Sequence, residues 1–286
     1  MTTTLLEGLY FGECPRWRDG QLWYSDFYAH AVFRVTPGQT PVKVVEVPNQ
    51  PSGLGWLPDG RLLIVSMTDR KLLRLEGDAL VEHADLNGLA TFHCNDMVVD
   101  SAGRAYVGNF GFNLEAFIAE RGAAAMAEAP SASLIRVDPD GSVHEAATDI
   151  RFPNGSVITP DGKTFILAET MGRVLTAFDV AADGALSNRR TWAETGRALP
   201  DGICLDGEGA IWIANPAAPE CLRIAEGGEV LDRVETSQPS FACMLGGDDG
   251  KTLFIVTAPG SGSVAEKEPK GRIETARVTV GHAGLP

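Results

Sequence analysis

Long apolar runs, cysteine motifs and a secretion signal are missing from this sequence of 286 residues. No stretch approaches the roughly 18 apolar residues of a membrane-spanning helix, so we expect no such helix. The first residues, MTTTLLEGLYFGECPRW, lack a basic region followed by an apolar run, which argues against a signal peptide. The five cysteines are odd in number and form no C-x-x-C pair, which favours reduced thiols. We therefore predict a soluble, cytoplasmic protein.

Basic clusters are also absent from the sequence. The formal net charge is −14 at pH 7, from 24 Lys and Arg against 38 Asp and Glu. Because phosphate backbones and anionic lipids bind to basic surfaces, this composition disfavours nucleic-acid and membrane partners. The partner we expect is a small molecule, bound by a monomer or a weak homo-oligomer.

What the sequence does contain is an internal repeat. Each copy has a small or polar residue, a short apolar stretch, an Asp-Gly or similar turn, and an alternating apolar strand. In five copies the first residue and the turn glycine are eight residues apart, and in the first copy they are seven apart. The six copies begin at the following residues: Glu13, Ser52, Asn95, Asn154, Asp201 and Ala242.

The spacing of the repeats indicates the fold. Successive turn glycines lie 40, 43, 59, 47 and 41 residues apart. Strand–turn–strand units at intervals of roughly 40–50 residues are typical of β-propellers, in which each blade is a four-stranded sheet. The sequence therefore predicts an all-β fold, one six-bladed β-propeller domain over residues 1–286. We further expect RIETARV (272–278) to pair with a strand near the N-terminus and close the ring.

The interval of 59 residues contains an insertion. Residues 112–131 read FNLEAFIAERGAAAMAEAPS, which is rich in Ala and Glu and has no strand pattern. This composition predicts a short helical insertion on one face of the ring. Two interpretations stay open, a lid over a binding site and a surface excursion without a role in function.

The first residues of the repeats are expected to converge on the central channel, because equivalent positions of the blades face equivalent places around the axis. Four of them are Glu, Asn or Asp, and packing such carboxylates and amides together is costly without compensation. A divalent cation would supply this compensation, and a ligand shell made entirely of oxygen atoms suits hard ions. We predict one divalent metal ion in the channel, with Ca²⁺ as the expected ion and Zn²⁺, Mg²⁺, Mn²⁺ or iron as alternatives. The four carboxylate and amide residues are Glu13, Asn95, Asn154 and Asp201.

Four segments in this order closely resemble the SMP-30/gluconolactonase/LRE family of regucalcin-like proteins. The resemblance covers essentially the whole chain and implies a six-bladed propeller with a divalent metal at its axis. Many members of the family hydrolyse lactones, and some relatives hydrolyse organophosphates. The segments are GECPRW (12–17), CNDMVVDSAGR (94–104), FPNGSVITPDGKT (152–164) and LPDGICLDGEGAIW (199–212).

The resemblance also implies roles for individual residues. The Glu of the family's E-x-P-x-W motif is Glu13, the Asn of P-N-G is Asn154, and the Asp of P-D-G is Asp201. These three are implied to be the direct metal ligands. The Asn of N-D-x-x-x-D-x-x-G-R is Asn95, which in relatives lies beside the metal and the substrate.

Two positions depart from the sugar-lactone members of the family. Those members carry an Arg two residues before the motif Asn and an acidic residue after the following strand, where this chain has His93 and Asn113. We take both as candidate substrate contacts, while a hydrogen-bonded histidine at the rim is the alternative for His93. Because an Arg and a carboxylate that would recognise sugar hydroxyls are missing, a less polar or differently shaped lactone is expected.

The function predicted is a divalent-metal-dependent lactonase, in which a metal-polarised carbonyl is attacked by an activated water. Asp201 is the predicted catalytic residue, as a metal ligand that also serves as base. The alternatives are an organophosphate triester hydrolase of the diisopropylfluorophosphatase type and a non-catalytic metal-binding propeller. Two thiols, of Cys14 and Cys94, flank candidate site residues, and strand alternation predicts that both turn away from the axis and pack in the core.

Overall fold

The computed structural model describes residues 2–286, except for the side chains of residues 123, 124 and 127. The strands form six four-stranded antiparallel sheets. Contacts between successive innermost strands run from each sheet to the next, and the last sheet contacts the first. The predicted all-β, six-bladed β-propeller is therefore confirmed.

Each of the first three blades begins with its innermost strand and continues outward along the chain. Blade 1 contains β2 (Gly12–Arg18), β3 (Gln21–Asp26), β4 (Ala31–Val35) and β5 (Val42–Glu46). Blade 2 contains β6 (Pro51–Trp56), β7 (Leu62–Ser66), β8 (Lys71–Glu76) and β9 (Ala79–Asp85). Blade 3 contains β10 (Cys94–Val99), β11 (Ala105–Asn109), β12 (Ala132–Val137) and β13 (Val143–Ile150).

The remaining three blades follow the same order from the innermost strand outward. Blade 4 contains β14 (Pro153–Ile158), β15 (Thr164–Glu169), β16 (Val174–Val180) and β17 (Leu186–Glu194). Blade 5 contains β18 (Ile203–Leu205), β19 (Ile211–Asn215), β20 (Glu220–Ile224) and β21 (Val230–Glu235). Blade 6 contains β22 (Ser240–Gly246), β23 (Thr252–Thr257), β24 (Gly271–Arg277) and β1 (Thr3–Leu9).

The ring is closed by strands from the two ends of the chain. The outermost strand of blade 6 is β1, which pairs antiparallel with β24 so that Thr3 lies opposite Thr275 and Leu9 opposite Gly271. This pairing confirms the predicted closure by the RIETARV segment. Because the last blade is completed by the first strand, the first and last blades cannot separate without breaking a row of backbone hydrogen bonds.

The Asp-Gly turns and the apolar strands explain why each repeat forms a hairpin. At the turn between β2 and β3, Asp19 and Gly20 both have positive φ, +50° and +73°, as a type I′ turn requires. The apolar core lies between neighbouring sheets. Between blades 2 and 3, for example, the buried side chains of Val65, Met97 and Val107 pack in one cluster.

Helices lie in two of the loops that join strands. Residues 112–131 contain α1 (Leu114–Arg121), followed by a 3-10 helix over Ala123–Glu128. The loop between β23 and β24 contains α2 (Ser263–Lys267), and a 3-10 turn (Thr170–Gly172) follows β15. Within the described part of the chain, none of these helices has the length and apolar character needed to cross a membrane.

Both α-helices lie at the same end of the channel. The first two strands of each blade are antiparallel, so the innermost strand begins where the second strand ends, as for Cys94 opposite Asn109 and Pro153 opposite Glu169. Loops that follow the second strands therefore surround the end at which the innermost strands begin, and we call this end the mouth. The insertions with α1 and α2 belong to blades 3 and 6, which lie opposite each other in the ring.

Candidate metal centre and active site

The four carboxylate and amide residues predicted for the axis all lie at the mouth end of the channel. Glu13, Asn95 and Asn154 each occupy the second position of an innermost strand, and Asp201 lies two residues before the innermost strand of blade 5. Their exposed fractions are 6%, 6%, 5% and 8%, respectively. Four polar side chains from four blades are thus buried around one axis, with only a narrow exposure to solvent.

A β-bulge near the start of the innermost strands decides which side chains face this centre. The strand register shifts between Glu13 and Arg16, and again between Cys94 and Met97. A bulge places two successive residues opposite one residue of the partner strand, so simple alternation does not hold there. The residue after Glu13, Cys14, has a positive φ of +48° at this bulge.

The bulge brings the thiol of Cys14 into the channel. Its Sγ atom is hydrogen-bonded to the carboxylate of Asp96 and lies 3.8 Å from the Ser52 hydroxyl oxygen. Cys14 also packs in the apolar cluster of blades 1 and 2 with Val32 and Leu54, so its predicted core packing is confirmed, and its contact with Asp96 is an addition to it. The same prediction for Cys94 is confirmed, because that side chain is fully buried in the apolar core between blades 2 and 3.

The glycines that follow two of the candidate ligands allow the blades to approach each other closely. A Cβ atom on Gly155 would lie 2.6 Å from the backbone nitrogen of Ile203, and one on Gly202 would lie 2.7 Å from Cα of Ala242. Real Cβ contacts are not this short. The Asn-Gly and Asp-Gly pairs at these positions therefore serve the packing of neighbouring innermost strands, whereas such pairs elsewhere usually form turns.

Three carboxylates share the centre, and their pKa values are raised. Burial raises the pKa of Glu13 well above its ordinary value, and the charges of Asp201 and Asp96 raise it further. Burial also raises the pKa of Asp201, followed by the charge of Asp96, while a hydrogen bond from Asn154 lowers it. For Asp96, burial raises the pKa against the opposing effects of Arg16 and the Cys14 hydrogen bond. Carboxylates in this arrangement call for a positive charge between them.

One buried guanidinium supplies part of that charge. The side chain of Arg16 donates hydrogen bonds to the backbone oxygens of Leu54 (3.1 Å) and Met97 (2.7 Å), which fix it in the channel wall. With all groups ionised, the three carboxylates and this guanidinium leave a net charge of −2. One divalent cation would balance it. The residues present therefore fit a bound divalent metal, with an oxygen-rich donor set that suits a hard ion.

The carboxamide of Asn154 is held ready to act as an oxygen ligand. Its Nδ2 atom donates a hydrogen bond to the hydroxyl of Thr170 (3.1 Å), which in turn donates to the backbone oxygen of Pro200 (2.7 Å). Because the nitrogen is used as a donor on this side, the oxygen is the atom that would ligate a cation. Supporting hydrogen bonds of this kind orient metal ligands. On the opposite side of the centre, Ser52 donates to Oδ1 of Asn95 at 3.4 Å.

A second group of three residues in this centre also has ligand chemistry. A carboxylate oxygen of Glu13, Sγ of Cys14 and a carboxylate oxygen of Asp96 all lie within 4.8 Å of one another. Asp96, Arg16 and Cys14 were missed as site residues from the sequence. The available signal was their position beside Glu13 and Asn95, but the bulge that turns them inward is not visible in the residue pattern.

The two candidate substrate contacts lie farther out. His93 is half-buried at the mouth, where its ring stacks on Phe92 at 4.1 Å and lies 6.3 Å from Phe110. Burial and the charge of Arg70 lower its pKa, so the imidazole is neutral at neutral pH. Asn113 is exposed, and its Oδ1 accepts a hydrogen bond from the backbone N–H of Ala116 as the N-cap of α1. The structure therefore groups the four axial residues together and places these two around the mouth.

The fold and this centre describe a propeller with a buried cluster of carboxylates and amides on its axis. The sequence profile of the SMP-30/Gluconolactonase/LRE-like region matches residues 11–259, and the chain belongs to this family. The 6-deoxy-6-sulfogluconolactonase of Pseudomonas putida is 26% identical over 264 residues, which cover 89% of this chain and 86% of the relative. Regucalcin of Danio rerio is 27% identical over 262 residues, covering 86% and 82%.

A solved structure supports the fold independently. The crystal structure of a calcium-binding protein, regucalcin, from Agrobacterium tumefaciens superposes with a TM-score of 0.82 at 21% identity. The alignment covers 100% of this chain and 96% of that one. At this level of identity the likeness establishes the shared fold.

Proposed function

We propose that this protein is a divalent-metal-dependent lactonase whose active site is the axial centre. One observation carries the proposal: side chains of Glu13, Asn95, Asn154 and Asp201 from four blades are buried together at the mouth end of the channel. The names of relatives point the same way, since one of them is a 6-deoxy-6-sulfogluconolactonase. The regucalcin of Agrobacterium tumefaciens is described as a calcium-binding protein, which supports a cation at this centre.

The metal would be held by Glu13, Asn154 and Asp201, with Asn95 beside it. When bound there, a divalent cation supplies Lewis-acid polarisation of an ester carbonyl and stabilises negative charge on its oxygen. The oxygen-rich donor set favours Ca²⁺, and Zn²⁺, Mg²⁺, Mn²⁺ and iron are the alternatives to test. The sulfur nearest to these ligands belongs to Cys14, which is hydrogen-bonded to Asp96 and stays a thiol because burial raises its pKa well above the ordinary value.

The chain's own residues would then move the proton and orient the substrate. The carboxylate of Asp201 accepts a proton from the attacking water, and its hydrogen bond from Asn154 keeps it in place. The carboxamide of Asn95, whose Oδ1 accepts a hydrogen bond from the Ser52 hydroxyl, would donate from its Nδ2 atom to a ring oxygen or carbonyl of the substrate. The neutral imidazole of His93 would contact the substrate at the mouth of the channel, and Asn113, at the start of α1, would provide a second contact.

The proposal is tested by removing the metal with a chelator, adding back single divalent ions, and following proton release from a panel of lactones. Turnover should return with one or more ions. Asp201→Asn should lose at least about a hundredfold in kcat, because it removes the base. The matched control is Asp248→Asn at an exposed position, which should keep full activity. Undiminished turnover by Asp201→Asn would contradict the role of Asp201.

Two further properties belong to the same proposal. We place the protein in the cytoplasm as a monomer or weak homo-oligomer that acts on a small molecule. The five cysteines support a reducing compartment, because all of them are unpaired and buried. Parallel assays with a phosphotriester address the alternative chemistry, and turnover of that substrate without turnover of any lactone would replace a lactonase with an organophosphate hydrolase.

A further inference from the structure

Aromatic side chains surround the mouth directly above the axial centre. Phe11 lies two residues before Glu13, and Phe152 lies two residues before Asn154. Both rings are almost completely buried. The residues that lead into the innermost strands therefore place apolar rings around the entrance to the centre, with only a small part of each ring exposed.

On the side of blades 6 and 1, the aromatic rings form one packed group. The ring of Phe11 lies 4.8 Å from that of Phe241 and 5.2 Å from that of Phe27. Met67 and Ala265 pack into the same cluster. The ring of Tyr28 also packs against this group, which is therefore aromatic and apolar apart from one phenol hydroxyl.

On the side of blades 3 and 4, a second group of rings continues the apolar surface. The rings of Phe110 and Phe152 stack at 4.8 Å, and Phe112 meets Phe152 at 6.2 Å. Phe110 also packs against the first group. His93, 6.3 Å from Phe110, and Tyr28, 6.5 Å from Phe11, are polar side chains that lie among these rings. Aromatic surface thus extends around both sides of the mouth.

The mouth is also covered by the two insertions. Oε1 of Glu115 in α1 accepts a hydrogen bond of 3.1 Å from the backbone N–H of Ser263, the first residue of α2. Since these helices belong to opposite blades, the bond joins them across the mouth. Ala265 of α2 is buried against the aromatic rings below it. A ligand beneath this cover is withdrawn from water.

A polyhydroxylated ligand would need several hydrogen-bond partners in this space, and a number of the polar side chains nearby are already engaged, although Nε of Arg70 has no partner among the described residues. The hydroxyl of Thr170 is shared between Asn154 and Pro200, and Nη1 of Arg70 donates to the backbone oxygen of Ala90. The side-chain oxygens of Asn113 and Glu115 accept hydrogen bonds from backbone N–H groups at helix N-termini. Each buried hydroxyl left without a partner lowers binding by roughly tenfold, whereas alkyl and aryl groups gain contact with the rings.

We propose that the substrate is a lactone with an apolar body, an alkyl- or aryl-substituted γ- or δ-lactone, and not a polyhydroxylated sugar lactone. This inference rests on the proposed lactonase function. The lactone ring reaches the axial centre while its substituent lies among Phe110, Phe112 and Phe152. His93 provides a polar contact at the entrance.

The test compares D-glucono-δ-lactone with δ-nonalactone and dihydrocoumarin, using the metal-loaded full-length protein and subtracting spontaneous hydrolysis. We expect kcat/KM for the two apolar lactones to exceed that for the sugar lactone at least tenfold. A sugar lactone hydrolysed equally well or better would overturn the inference while leaving the lactonase proposal intact.

A binding measurement separates failure of the inference from failure of the proposed function. Calorimetry with two non-hydrolysable lactams, 6-butylpiperidin-2-one and D-gluconolactam, reports the preference of the site without turnover. We expect the butyl lactam to bind at least tenfold more tightly. If it does so while no lactone is hydrolysed, the lactonase proposal fails and the apolar site stands. Tighter binding of gluconolactam would refute the apolar site even in an active enzyme.

A pair of variants tests the aromatic surface itself. Phe112→Ala should raise KM for δ-nonalactone about tenfold and leave that for gluconolactone within twofold, because it removes an apolar contact. Phe33→Ala is the matched control, since Phe33 is also half-buried but stacks on Tyr24 in the outer part of blade 1. A Phe112→Ala variant with an unchanged ratio between the two substrates counts against the inference.

Discussion

Replacing Asp201 by Asn should stabilise the metal-free protein while abolishing its response to metal. In the metal-free state this carboxylate is buried beside two others, and burial and the charge of Asp96 raise its pKa. Asn keeps the shape and removes the charge. Relief of an uncompensated buried charge is worth roughly 2 kcal/mol, which corresponds to a rise in Tm of about 4 °C for a chain of this size.

The matched control is the same substitution at a buried carboxylate that already has its partner. Asp206 is fully buried and accepts a hydrogen bond of 2.6 Å from Nε of Arg223. Asp206→Asn breaks this pair and should cost about 3 kcal/mol, lowering Tm by about 6 °C. The two variants are five residues apart and should shift Tm in opposite directions.

The assay is thermal unfolding in chelator at pH 7, followed by circular dichroism at a fixed scan rate, with and without added divalent ion. An ion present at about 100 times its Kd stabilises the native protein by about 2.7 kcal/mol, and this shift should be missing from Asp201→Asn. A fall in Tm for Asp201→Asn in chelator comparable to that of Asp206→Asn would refute the reasoning.

The higher Tm expected for metal-free Asp201→Asn relative to the wild-type protein should also depend on pH. Because the folded-state pKa values of Glu13 and Asp201 are raised above their unfolded values, the native protein keeps these protons to a higher pH than the unfolded chain does. Metal-free wild-type protein therefore loses stability as pH rises from the unfolded values through the raised ones. The difference in Tm between wild type and Asp201→Asn should accordingly shrink as pH falls from 7 toward 4.

Three other outcomes follow from the packing. Thr170→Val removes the acceptor that fixes the Asn154 carboxamide, so calorimetry should show metal binding weakened at least about tenfold. Gly155→Ala places a Cβ atom 2.6 Å from the next blade and should cost about 1–3 kcal/mol in urea unfolding, whereas Gly88→Ala meets nothing within 4 Å. A thiol reagent at pH 8 should leave native protein unmodified, since all five cysteines are buried and burial raises the pKa of Cys94 to about 12.

Each of these three predictions would be contradicted by a specific result. Unchanged metal affinity in Thr170→Val would mean that the Asn154 side chain is oriented without this hydroxyl. Equal stability of the two glycine variants would show that neighbouring innermost strands can move apart at no cost. Rapid modification of native protein by the reagent would require an opening of the sheets that the packing does not allow.

The architecture could be predicted from the sequence because its signals are local. A turn glycine and an alternating strand lie within about 15 residues of each other in every repeat, and their spacing alone counts the blades. The same register predicts which residues begin each innermost strand. Glu13, Asn95, Asn154 and Asp201 could therefore be assigned to the channel from the residue pattern alone.

The composition of the centre depended on details that the residue pattern does not carry. Alternation assigns Cys14 to the core, where it does pack, and the bulge after Glu13 in addition gives this residue a positive φ and places its thiol beside Asp96. Arg16 enters the channel wall through hydrogen bonds to backbone oxygens of blades 2 and 3. A β-bulge of one residue reverses the face on which the side chains next to it lie, and the local sequence contains no signal that predicts it.

The sequence by itself determined the number of blades and the set of carboxylate and amide residues on the axis, because both follow from a short-range pattern that recurs along the chain. Only the tertiary structure decided what surrounds that set. Phe11 and Phe241 meet at the mouth, and Glu115 reaches Ser263 across it, although the members of each pair are separated by more than half the length of the chain. Such contacts arise from closing the ring, and closure is a property of all six blades together.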